Sequence, residues 1–212
     1  MNIETFDKLR KFDTTSWAIW NEKEDSSVSF FRSQLECLHG RSVFVGLNRS
    51  ESWQENLENT CLSNFHTPGH TADRRLKRII QDANLQNLIG SFMTDISEEV
   101  KTDSGLVNVE EHGYTADLVA KITSIDKIDR RSIVCFGDKA FKILRTGLGI
   151  SSRLVSKDST NLLKSFSTHV NKEIWHVFRV WHPSNYGKFI HKSEQELPIQ
   201  LAYINGAITA LN

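Results

Sequence analysis

An α/β fold is predicted for this chain of 212 residues from three observations. Short β-branched apolar runs end abruptly in polar residues, and amphipathic helical periodicity fills most of the stretches between them. The composition, 39% hydrophobic and 25% charged with only 3 Pro and 11 Gly, is that of a compact globular protein rather than a disordered or fibrous one. Strands alternating with helices imply right-handed βαβ units. The expected architecture is a three-layer α/β/α sandwich around a four-stranded, mainly parallel sheet. The length suits one domain over residues 1–212, with an N-terminal helical cap (1–40) and an α/β core with a closing helix (41–212).

The elements follow in order. Within residues 1–40, Phe6, Leu9 and Phe12 recur at helical spacing, then Phe30, Phe31, Leu35 and Leu38, with Gly40 as a stop. The period changes at residues 42–47, a β-branched apolar run that reads as a buried strand opening into a loop at Asn48. Residues 51–71 have little periodicity and contain Trp53, Phe65, His66, Pro68, Gly69 and His70; a loop of that length is more often functional than idle. A helix then begins at Thr71 or Asp73, with Leu76, Ile79 and Ile80 facing inward. Residues 88–95 form a second strand, and 97–112 an acidic, solvated loop. Leu118, Val119, Ile122 and Ile125 mark a helix over 116–128, and residues 132–137 a third strand running into a helix over 138–144. After a Ser/Thr-rich stretch, residues 173–181 make the fourth strand, whose Trp175 and Trp181 read as core. His182-Pro183-Ser184-Asn185-Tyr186-Gly187 follows it, and residues 193–211 close the chain as a helix with Pro198 in its first turns.

Charge and cysteine content exclude several function classes. Lys and Arg number 26 against 26 Asp and Glu, so the net charge is zero, unlike a strongly basic tail protein or an acidic disordered chaperone. Cys37, Cys61 and Cys135 are sparse and widely separated, which suits a reducing compartment. No signal-peptide pattern and no membrane-length apolar stretch is visible, so a cytoplasmic protein is expected. Cations gather at Arg74, Arg75, Lys77 and Arg78 and between Lys164 and Lys192, and are read as solvated faces, with Lys188 and Lys192 placed to meet phosphate.

In a parallel sheet a ligand lies at the carboxyl ends of the strands. Those ends carry Gly46-Leu47-Asn48, Met93-Thr94-Asp95, Phe136-Gly137 and His182-Pro183-Ser184. Together with the Phe65-His66 loop, these segments resemble the uracil-DNA glycosylase superfamily, over about residues 43–187. The resemblance implies a DNA glycosylase that flips a damaged or deaminated base and hydrolyses its N-glycosidic bond. It implies catalytic roles for Asn48, which would hold the attacking water, and His182, which would donate to a base carbonyl as negative charge develops. Gly46, Leu47, Phe65, His66 and Asp95 would surround the base, with either Phe65 or Trp53 stacking on it. Arg49, Ser50, Gly137, Ser184, Asn185, Tyr186 and Lys188 would meet the DNA, Tyr186 filling the gap left in the stack.

Two positions depart from the family pattern. Asp95 stands where uracil-reading members have an asparagine, and a carboxylate accepts but does not donate, so a base with an exocyclic amine or a second N–H suits it better than uracil. Arg49 stands where proline is common. Three scattered cysteines do not supply the four-cysteine iron–sulfur cluster of some members, and Pro68-Gly69 breaks the helical spacing a His66/His70 zinc pair would need, so no metal or cofactor is expected. The expected partner is single- or double-stranded DNA, met by a monomer, with no membrane. The alternatives are a catalytically weak or silent nucleic-acid-binding member of the fold, and a nucleotide or small-molecule hydrolase on the same fold.

Overall fold

The computed structural model describes residues 1–12, 14–21, 27–48, 62, 65–66, 70–82, 85–98, 113–158, 162–184 and 189–211. Six helices and seven strands occur among them: α1 Ile3–Leu9, β1 Ser16–Trp17, α2 Val28–Ser33, β2 His39–Gly46, α3 Thr71–Asp82, β3 Ser91–Asp95, α4 Gly113–Thr123, β4 Arg130–Phe136, α5 Gly137–Gly147, β5 Ser156–Lys157, β6 Lys164–Val170, β7 Glu173–Val180 and α6 Leu197–Leu211. The α/β class agrees with the sequence expectation, but the sheet is larger and mixed. Its order is β1-β3-β2-β4-β7-β6-β5. Strands β3, β2, β4 and β7 run parallel, and β1, β6 and β5 extend this centre antiparallel.

The extra strands have physical reasons for being quiet in the sequence. β1 and β5 are two residues each, too short for any period. β6 buries only Phe166 and Val170, so it shows no apolar run. It is folded back on β7 by Asn171 and Lys172, both at positive φ (48° and 73°), the backbone of a two-residue hairpin turn. Gly40, expected to stop a helix, lies inside β2 and accepts from Arg131 Nη1 at 2.5 Å.

Strand side chains alternate between two cores. Val43, Val45, Ile133, Cys135, Trp175 and Val177 pack with α1, α2, α4 and α5 on one face. Phe44, Met93, Val134, Phe136, Phe178 and Val180 pack with α3 and α6 on the other. At the amino ends of the strands, Arg131 donates to both oxygens of Glu173 at 3.0 and 2.9 Å, and Trp175 Nε1 donates to the same carboxylate at 2.9 Å. No helix among the described residues is long and apolar enough to cross a membrane. The parallel centre therefore brings Gly46, Asp95, Phe136 and Val180, the last residues of four strands, to one edge.

Candidate functional site

The site begins where β2 and β3 end side by side. Gly46 pairs with Asp95 across the ladder, and the pairing continues beyond the strands, Ile96 N donating to Gly46 O at 3.1 Å and Ser97 N to Leu47 O at 2.9 Å. This carries buried Leu47 and half-buried Asn48 out alongside Asp95. Gly46 is required there by contact: a Cβ would stand 2.0 Å from Asp95 Oδ1 and 3.0 Å from Phe65 Cζ. A carboxylate and an aromatic ring thus converge on bare backbone. Phe65 holds a φ of 61°, a conformation a bulky side chain adopts only where its surroundings enforce it.

From Phe65 the aromatic contacts run to histidine. Phe65 lies 5.9 Å from the Phe136 ring, which stacks on Phe44 at 5.5 Å and meets His182 edge-on at 5.9 Å. Ser184 fixes the state of that histidine. Its backbone N–H donates to His182 Nδ1 at 3.1 Å and its hydroxyl lies 2.5 Å from the same nitrogen. A backbone N–H only donates, so Nδ1 presents its lone pair. Burial pushes His182 down to about 4, with Asp73 opposing the shift and His70 adding to it. The ring is neutral at pH 7, and the proton it retains sits on Nε2.

The residues flanking His182 are tied to other elements. Gln200 on α6 accepts from Trp181 N at 2.8 Å. Arg75 on α3 donates through Nη1 to the carbonyl of Pro183. The Trp181 ring lies under the Arg179 guanidinium, 3.5 Å from its centroid, with Lys192 Nζ at 5.0 Å and Glu196 accepting its Nε1–H at 2.6 Å. At the start of α3, Asp73 lies 3.5 Å from His70 and raises that imidazole, mainly through their side-chain interaction. Asp95 also lines a cleft of about 350 Å³ with Phe12, Glu98, Tyr114 and Lys121. In it the buried Lys121 ammonium donates to Thr14 Oγ1 at 2.8 Å and to Thr94 Oγ1 at 3.4 Å.

The structure brings Gly46, Phe65, Asp95 and His182 to this edge, with Leu47, Asn48 and Ser184 beside them. His66 is placed elsewhere than its expected position against a base. It is 4% exposed, with Nε2 2.9 Å from Trp17 O and its ring between Trp20 and Phe31. Two consecutive residues therefore face opposite ways, Phe65 to the site and His66 to the core. Gly137 opens α5 at a φ of 87°, and the first turn already holds the Asp138 carboxylate, paired with Arg179 at 2.7 Å and Lys164 at 3.2 Å. A phosphate there would compete with Asp138 for the same helix end. Arg75 and Arg179, read as parts of solvated faces, are buried. Arg49, Ser50, Trp53, Asn185, Tyr186, Lys188 and the acidic stretch 99–112 lie outside the described residues. Sequence reasoning passed over Phe136, Arg75 and Gln200 as site residues. Phe136 ends a strand beside the motifs, a usable signal; the other two are ordinary helix positions. No protein-family profile matches the chain, and no curated protein matches it.

Proposed function

We propose that the chain is a monofunctional DNA glycosylase that excises a damaged or deaminated base by hydrolysis of the N-glycosidic bond. The observation that carries this reading is the neutral His182, an Nε2–H donor at the strand edge that also presents Asp95 and Phe65. As the bond between sugar C1′ and the base nitrogen breaks, its electron pair moves onto the base and charge accumulates on a base carbonyl oxygen. A hydrogen bond from Nε2–H to that oxygen stabilises the leaving base most when the charge is greatest. Asn48 is too weakly basic to take a proton; its amide holds the water whose oxygen bonds to C1′, and that water's proton leaves to solvent or to the departing base.

Phe65 offers the face on which an extruded base stacks. Asp95, an acceptor, selects a base edge that presents N–H groups, which favours bases with an exocyclic amine or a second N–H over uracil. Ser184 and the segments carrying Arg49, Ser50, Asn185, Tyr186 and Lys188 supply the DNA contacts in this reading. It involves no lysine nucleophile, so the sugar–phosphate backbone stays intact.

Oligonucleotides carrying uracil, hypoxanthine, xanthine or mismatched normal bases, incubated with excess protein and then treated with alkali, test the proposal. Alkali-labile sites at one class of base are expected. None on any substrate would refute enzymatic base excision. A second reading, a catalytically silent binder, draws on the close approach of Asp95 Oδ1 to Gly46, 2.0 Å from where a Cβ would stand. It predicts DNA affinity that survives both Asn48→Ala and His182→Ala, with no base released by the wild type.

A further inference from the structure

Arg75 sits on α3, far in sequence from the His182 turn, yet it is 7% exposed and its guanidinium spans two other segments. Nη1 donates to Pro183 O and to Ser193 Oγ at 3.0 Å, and Nη2 lies 3.5 Å from Glu194 Oε1. Proline has no N–H, so its carbonyl is the one backbone group by which residue 183 can be held, and Arg75 holds it. On the other side of the imidazole, Gln200 fixes the backbone of Trp181. Past it, Ser184 must stay in place for its N–H to reach Nδ1. The residue before His182 and the residue after it are thus anchored by side chains from two different helices. Arg75 additionally ties that turn to Ser193, in the turn leading into α6.

We propose that Arg75 is a positioning residue for His182: it holds the 182–184 turn so that Ser184 N–H stays on Nδ1 and the Nε2–H stays directed to the site. The inference rests on the glycosylase reading for its kinetic consequence, but not for its structural one. Nη1 reaches the carbonyl and the hydroxyl together while Nη2 lies toward Glu194, whereas a lysine ammonium keeps the charge but has one nitrogen to serve all three. A purely structural arginine would lower stability when changed and leave the histidine tautomer as it was.

The test uses the full chain with Arg75→Lys and, as a milder change that leaves the arginine present, Ser193→Ala. Nitrogen NMR of protein labelled in histidine reads the His182 ring directly, and single-turnover base release gives the rate and the DNA concentration dependence. For Arg75→Lys we expect His182 to change from one Nε2–H tautomer to a tautomer mixture. Base release should slow about 10- to 100-fold with little change in the DNA concentration for half-maximal rate. Ser193→Ala should move both readouts in the same direction by less. A folded Arg75→Lys protein with an unchanged His182 spectrum overturns the proposal, and so does a rate loss carried wholly by weaker DNA binding. If the wild type releases no base, the function is wrong and the NMR comparison still decides the role of Arg75.

Discussion

Ser184 occupies Nδ1 of His182, so the histidine meets the site as a neutral donor, and its removal should cost rate rather than stability. For His182→Ala we predict base release slowed about 10²- to 10³-fold, the usual loss for one preorganised donor, with a thermal midpoint close to wild type. Single-turnover assays beside thermal unfolding check this. Asp95→Asn should turn an acceptor into a group that both donates and accepts, and so gain or raise release of uracil; an unchanged base preference across the oligonucleotide panel would dissociate Asp95 from recognition. Gly46→Ala places a methyl 2.0 Å from Asp95 Oδ1, so it should abolish release even from the preferred substrate. These residues were legible as candidates because each stands at or just past the end of a strand with an apolar run. His66 was not, because an aperiodic loop carries no signal for which of two neighbours turns inward. Nor was Arg75: helical spacing locates an apolar stripe but does not tell which flanking cation finds a carbonyl to bind.

The four parallel strands could be read from the sequence because strands covered on both faces carry short apolar runs, as at residues 43–45 and 133–136. β6 could not, since one of its faces is polar and its hairpin turn is Asn171-Lys172 rather than a glycine-containing pair. The amino-terminal region hid β1 for a different reason, its two residues being held by β3 rather than by any period of their own. At the end opposite the site, charge supplements the β4–β7 ladder: Arg131 and Glu173 are both buried, and bonded through two atoms of each. Arg131→Met leaves the buried Glu173 carboxylate with the Trp175 Nε1–H but without its counter-charge, and should lower stability by about 3–5 kcal/mol. Denaturant unfolding measures this; a loss under about 1 kcal/mol would mean that solvent reaches the carboxylate.

At the scale of the whole molecule, burial lowers three histidines, His39, His66 and His182, to about 4. In the unfolded chain they titrate near the ordinary 6.5, so between pH 6.5 and 4 the unfolded state binds more protons and folding stability falls as the pH drops. His70, raised by Asp73, opposes this in part. Urea midpoints should therefore decline from pH 7 to pH 5, above the range where carboxylates protonate, and His66→Phe should flatten the slope. The zero net charge is likewise a sum of unlike parts. Arg75 and Arg179 are committed to internal contacts, and exposed Arg74 and Arg78 remain on the outer side of α3. DNA affinity should be modest and fall steeply with salt, and a flat response would mean that cations do not meet phosphate. Mass spectrometry of small molecules released from base-modified DNA, without alkali, by wild type, Asn48→Ala and His182→Ala proteins decides whether the chain excises bases. A glycosylase of this design should give a free base from the wild type with an intact strand, and at least tenfold less from either variant; no free base from any DNA, or equal release by all three proteins, would rule it out.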